Sequence, residues 1–195
     1  MCIRDRAIPG SSGIIIVVAF FSGMILTTIG IQGHSSQVFG ETLGYGAIFE
    51  ASRIINAFRE ELSEEQYLTF NPGVMLGGTD VKYDPVKARG TAFGKTNVVS
   101  QSVTAHGGIR TISMNQLEKA MVAMREIASR NLPGTTAKIE FKTSYPPMEP
   151  TKANYALLSK LESVNMDLGY GKLEPLDPSK RGAAAVSYTH LRAHE

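Results

Sequence analysis

The stretch NVVSQSVTAHGGIRTI, residues 97–112, decides the fold. Val99, Gln101, Val103 and Ala105 alternate with Val98, Ser100, Ser102 and Thr104, the period of two that sends successive side chains of a strand to opposite faces. The Gly107-Gly108 pair inside the run marks a bulge or a close approach by another backbone. Downstream, Ser113 and Gln116 have the spacing of a capping box. Leu117, Ala120, Met121, Met124 and Ile127 then form an amphipathic helical stripe, which Asn131-Leu132-Pro133-Gly134 ends. Ala137, Ile139 and Phe141 next alternate with Lys138, Glu140 and Lys142, as in a sheet wet on one side.

Upstream, Ala47, Ile48, Ala51, Ile54, Ile55, Phe58 and Leu62 recur at three and four residues, with Glu50, Arg53, Asn56, Arg59 and Glu60 on the other side. That is a one-sided helix. Residues 67–70 and 74–76 read as strand around Asn71-Pro72-Gly73, with Gly77-Gly78 ending the run. Residues 13–31 carry no charge and approach the roughly 20 residues a membrane helix needs. Ser22-Gly23 in the middle and the β-branched clusters on either side favour strands joined by a turn instead, so no membrane span is expected, and without a small-x-small cleavage site no signal peptide is expected either. The order strand, helix, strand, strand, helix, strand predicts an α+β fold: a ferredoxin-like two-layer sandwich, with a four-stranded antiparallel sheet and two helices on one face. Residues 145–150, YPPMEP, cannot continue a regular element and read as a linker. Thr151 then caps a third helix with the stripe Ala153, Leu157, Leu158, Leu161 and Val164, outside the two-layer unit.

With 195 residues, 43% hydrophobic and 19% charged, the chain can bury one core plus an appendage. A net charge of +2 without a Lys/Arg block gives no reason to expect a nucleic-acid partner. Cys2 is the only cysteine, which excludes an internal disulfide and a cysteine-based zinc cluster and leaves localisation open. Residues 1–6, MCIRDR, and 186–195, VSYTHLRAHE, look like translated sequencing-adapter sequence and are set aside from fold reasoning. His190 and His194 have the i, i+4 spacing of two helical metal ligands, but no H-E-x-x-H pattern accompanies them.

Residues 30–37, GIQGHSSQ, set His34 on a glycine-flanked turn after an apolar run. Taken with 45–58 (YGAIFEASRIINAF), 68–79 (LTFNPGVMLGGT), 94–99 (GKTNVV), 107–113 (GGIRTIS) and 181–184 (RGAA), this resembles the di-zinc metallopeptidases that include glutamate carboxypeptidase, aminoacylase and succinyl-diaminopimelate desuccinylase. The resemblance implies a dimerisation domain over 13–148 and the start of a return into a catalytic domain over 149–185. It implies a truncated piece of an enzyme that uses water to cleave peptide or N-acyl amide bonds next to a C-terminal carboxylate. Zinc belongs to the intact enzyme. The His-x-Asp, Asp, Glu-Glu and late His ligands cannot be placed here, so the chain alone is expected to bind no metal and to be inactive. Glu60-Glu61 and Glu64-Glu65 imitate the Glu-Glu pair but read as solvated surface charge.

By the same resemblance, His34 acts in trans, bonding the scissile carbonyl of a partner subunit's substrate and stabilising the oxyanion. The plainer alternative is a turn histidine bonding its own backbone. Arg110 resembles the arginine that clamps the substrate carboxylate, a task suited to a planar bidentate donor, against the plainer reading of an exposed strand arginine. Asn97 matches a substrate-bonding asparagine, or else caps a strand start. Gly108 stands where many relatives have Asp, so a carboxylate that would orient Arg110 is missing. His106 matches nothing and reads as an exposed strand residue. Homodimerisation is expected through an edge strand and the first helix, with a peptide or N-acyl amino acid as substrate. The competing reading is a free-standing ferredoxin-like interaction module.

Overall fold

The structure is a computed structural model that describes residues 13–14, 20–143, 147, 149–175 and 177–180. Its strands are β1 (Gly13–Ile14), β2 (Phe20–Gly30), β3 (Thr69–Gly78), β4 (Asp80–Asp84), β5 (Arg89–Phe93), β6 (Ser102–Thr111), β7 (Thr135–Thr143) and β8 (Glu174–Pro175), and its helices α1 (Ala47–Leu62), α2 (Met114–Ser129) and α3 (Lys152–Asp167). The described residues fall into two compact units, 20–143 in one and 13–14, 147, 149–175 and 177–180 in the other.

In the first unit β2, β3, β6 and β7 make a four-stranded sheet in the order β3-β6-β2-β7, antiparallel throughout. With α1 and α2 on one face, this is the two-layer sandwich that the element order predicts. On β2, Ser22, Met24, Leu26 and Thr28 are buried while Gly23, Ile25, Thr27 and Ile29 are not. Met24 and Leu26 meet Ala105 and Ile109 of β6, Ile54 and Phe58 of α1, and Leu117, Met124 and Ile127 of α2 in one core. Each large apolar side chain buried there stabilises the fold by about 1.5–3 kcal/mol. Helix α2 starts as its spacing predicts: Gln116 N–H donates to Ser113 Oγ at 3.1 Å, and Gln116 Oε1 accepts from Ile112 N–H at 3.2 Å.

Several expectations need correction. Ser22-Gly23 makes no turn; β2 runs straight through it, because the Ser22 hydroxyl donates to the Lys142 carbonyl at 3.2 Å and needs no water. Residues 15–19 lie outside the described residues, and no described helix is long and apolar enough to cross a membrane. The strand predicted over 97–112 begins only at Ser102; Val98 contributes an isolated bridge to His34 instead. The bulge lies not at Gly107-Gly108 but opposite it, between Pro72 and Val74 of an unbroken β3. Gly107 supplies the close approach: a Cβ there would overlap the Asn71 carbonyl oxygen.

Glu50, expected on the polar side of α1, is fully buried. Its carboxylate accepts from Arg53 at 2.7 and 3.0 Å and from Leu132 N–H at 3.1 Å, a set of partners no helical period shows. Ile48, expected on the apolar side, is 44% exposed. The β4-β5 hairpin adds two strands beyond the predicted element order. Its turn closes where Asp84 Oδ1 accepts from Val86 and Lys87 N–H at 2.9 and 3.2 Å.

In the second unit α3 begins as expected, with Thr151 Oγ1 accepting from Asn154 N–H at 3.3 Å. Leu158 is its buried residue, while Leu157, Leu161 and Val164 of the predicted stripe are exposed. β1 and β8 pair in parallel.

Candidate functional site

After β2 the chain turns through Gly33-His34-Ser35, and this segment is zipped to 97–99. Val99 N–H donates to the Gly33 carbonyl and Ser35 N–H to the Asn97 carbonyl, both at 2.9 Å, with His34 and Val98 forming the bridge between them. His34 and Asn97, distant in sequence, therefore lie side by side. Both are exposed.

His34 caps the short 3-10 turn Ser35–Gln37. Its Nδ1 accepts from Ser36 N–H at 3.2 Å and lies 2.8 Å from Ser36 Oγ. A backbone N–H can only donate, so Nδ1 is the acceptor and the neutral ring carries its proton on Nε2. The turn-histidine reading holds, and the backbone bond at one nitrogen leaves the N–H on the other.

Arg110 lies elsewhere. It pairs with Thr69 of β3 near the far end of β6, eight residues from Ser102 and so roughly 26 Å along the strand. The structure does not bring it to His34 and Asn97 within one protomer. Arg110 is exposed and makes no ion pair among the described residues. It lines a cleft with Asn71, Val74, Tyr83, Ala88 and His106.

His106 is half-buried rather than exposed as expected. Tyr83 of the hairpin stacks on its ring, centroids 3.8 Å apart and planes 24° from parallel, and its Nε2 hydrogen-bonds Thr104 Oγ1 at 2.9 Å. Burial first, and then the Lys142 ammonium, push the imidazole below its ordinary value. The sequence does contain a trace of this wall: Val81 and Tyr83, then Thr91 and Phe93, flank a turn-forming Asp-Pro-Val-Lys-Ala-Arg-Gly.

Among the described residues no group of three or more His, Cys, Asp or Glu is placed to hold a metal ion. Glu61 pairs with Arg130 at 3.1 Å and Glu65 accepts from Gln116 at 3.1 Å, both at the surface. The donor set described does not fit a zinc pair. His190, His194, Cys2 and 181–184 lie outside the described residues.

Among solved structures the chain is similar to aminopeptidase PepT from Bacillus cereus, at 18% identity over 88% of this chain and 41% of that one, with a TM-score of 0.63. It is similar to a tripeptidase from Staphylococcus aureus, at 18% identity over 89% and 40% with a TM-score of 0.64. An amidase of the hydantoinase/carbamoylase family from Burkholderia phymatum gives 16% identity over 93% and 41%, TM-score 0.60. At such identities the likeness speaks for the fold, and the chain spans about two fifths of the length of each. No curated protein matches. The profile of the peptidase dimerisation domain matches residues 21–136, more than half of a chain that folds as the two-layer sandwich described above, and the chain belongs to that family.

Proposed function

We propose that this chain is the self-associating, substrate-contacting part of a zinc-dependent amidohydrolase or carboxypeptidase that cleaves peptide or N-acyl amide bonds. The observation that carries the reading is the zipped pair of segments that sets Asn97 beside a histidine whose Nε2–H points away from its own turn. Such a donor suits a carbonyl oxygen that gains charge as water attacks. Asn97 adds an amide able to bond the same substrate, and Arg110 a bidentate partner for its carboxylate. The zinc ligands would come from outside the described residues, with 149–185 as the start of the return toward them.

His34 and Asn97 at one end of the sheet and Arg110 at the other cannot serve one substrate from a single protomer. One active site would then take its Arg110 from one protomer and its His34 and Asn97 from the partner, as a two-fold dimer permits. The sheet edges support a choice of interface. β7 carries Lys138, Glu140 and Lys142, charges that discourage edge pairing. β3 carries none, and Met75 on it, with Ile48 and Phe49 on α1, is exposed.

The test is complementation in the full-length enzyme. Mixing His34→Ala subunits with Arg110→Ala subunits, each strongly impaired alone at low substrate, gives heterodimers with one intact and one doubly damaged site. Random pairing should restore about a quarter of wild-type activity. A mixture that stays flat while the variants remain folded and dimeric contradicts action in trans. Full activity in both single variants instead favours a free-standing interaction module.

A further inference from the structure

Between the β4-β5 hairpin and the helix-free face of the sheet lies a cleft of about 580 Å³. On β6 the side chains at 106, 108 and 110 point to this face, and a rise of about 3.3 Å per residue puts Arg110 about 13 Å from His106. Gly108 stands between them with no side chain. Its partners are Gly23 on β2 and Asn71 on β3. A strip floored by two glycines and flanked by Asn71 thus joins a cation without a partner among the described residues to a stacked pair of aromatic rings.

The far wall is held in place. Tyr83 lies parallel to His106 at 3.8 Å, and Thr104 Oγ1 fixes the imidazole through Nε2 at 2.9 Å. Because burial and Lys142 disfavour its protonation, the ring is uncharged at neutral pH and the wall is flat and weakly polar. Val74 and Ala88 add apolar surface. A ligand anchored by a carboxylate at Arg110 can extend across the glycine floor only if its other end tolerates that wall. A cationic group there would meet the Lys142 ammonium and lose hydration without a partner, whereas flat apolar groups would stack.

We propose that this cleft selects the side group of the substrate, and that its ligand is a carboxylate bearing an aromatic side chain, such as an N-acyl or peptidyl aromatic amino acid. Tyr83 and His106 are its specificity-determining residues and Gly108 its floor. The inference rests on Arg110 as the carboxylate anchor proposed above.

The experiment is a titration of the full chain with N-acetylphenylalanine and N-acetylglycine, followed by NMR at the His106 and Tyr83 rings and the Arg110 side chain. N-acetylphenylalanine should bind roughly tenfold more tightly, with ring-current shifts at His106 and Tyr83. Tyr83→Ala should abolish that preference. Gly108→Val, which suits a strand, should weaken the aromatic ligand more than N-acetylglycine. Arg110→Ala should weaken both ligands roughly tenfold or more. Equal affinities in the wild-type chain overturn the selective pocket while leaving the anchor standing. Indifference to Arg110→Ala overturns the anchor, and the absence of any shift with either ligand overturns both.

Discussion

Ser35 and Asn97 are tied by a backbone hydrogen bond of 2.9 Å, and that bond explains how a histidine after the first long strand comes to share a surface with an asparagine before the third. Its counterpart between Val99 and Gly33, also 2.9 Å, keeps the two segments in register. The pair rests on backbone geometry, so it survives most side-chain changes in the loop.

The first prediction concerns the ring itself. With Nδ1 accepting from Ser36 N–H, neutral His34 should be in the Nε2–H tautomer. Long-range proton–nitrogen correlation on the neutral ring should show a protonated Nε2 and a bare Nδ1. The reverse pattern removes the outward donor and with it the oxyanion role.

The sandwich was legible because α1, α2, β6 and β7 each bury one face, and one-sided burial leaves a period in the sequence. The same logic misplaces Glu50, whose burial depends on Arg53 and on the Leu132 N–H of a loop distant in sequence. It also leaves out the β4-β5 hairpin, since β5 is exposed along its whole length and a strand without a buried face has little period to read. The candidate site divides in the same way. His34, Asn97 and Arg110 stand in motifs, but the separation of Arg110 from the other two follows from strand register, and the Tyr83–His106 stack from a tertiary contact.

Gly107 and Gly23 should respond oppositely to alanine. A Cβ at Gly107 would overlap the Asn71 carbonyl, whereas at Gly23 it would meet Lys142 Cβ at an ordinary 3.6 Å. Gly107→Ala should therefore cost about 1–3 kcal/mol by forcing β3 aside. Gly23→Ala should fall within about 0.5 kcal/mol of the wild type. Urea denaturation of both variants decides this, and equal stabilities would contradict the tight β3-β6 approach.

Arg53→Ala leaves the Glu50 carboxylate buried with Leu132 N–H as its remaining partner. Breaking a buried ion pair from one side costs about 3–5 kcal/mol; because the Arg53 side chain is 25% exposed, the expected loss is at the lower end, about 3 kcal/mol. A Glu50→Leu, Arg53→Leu double variant should recover part of that loss, since no charge is then left in the interior. Should the single variant unfold at the wild-type urea concentration, Glu50 is not anchoring the α2-β7 loop.

His106 should make stability pH-dependent, with a definite sign. Its folded-state value lies below the ordinary 6.5, so between the two values the unfolded chain binds more protons and stability rises with pH. The contribution is complete above the ordinary value and is lost as pH falls through it toward the lowered one. Tyr83 of β4 faces the ring, Lys142 disfavours its charge, and Lys138 and Glu140 of β7 pair at 2.9 Å nearby in sequence. His106→Phe keeps a stacking ring without the titration. Its melting temperature should fall less than the wild type's between about pH 7.5 and about pH 5; identical falls would show that His106 is not the titrating group.

The sheet edges give the last prediction. An edge strand offers unpaired N–H and C=O groups to any chain that can approach, and charges on it are the usual deterrent. β7 has them and β3 does not. Ile48 leans over β3, where a Cβ on Gly77 would come within 2.9 Å of its Cγ1; with Phe49 and Met75, at 51% and 47% exposure, it continues the uncharged edge onto α1. A stable interface of standard size takes about 800 Å² from each partner, and one strand edge with one helix face can supply that only if both take part. Met75→Lys and Ile48→Glu should therefore each weaken self-association about tenfold or more in sedimentation experiments, because each places an unpaired charge in a desolvated contact. Neither should alter the monomer's circular dichroism, since both side chains are already about half exposed. A dimer indifferent to both substitutions moves the two-fold axis away from β3 and α1, and the delivery of His34 across it would need another geometry.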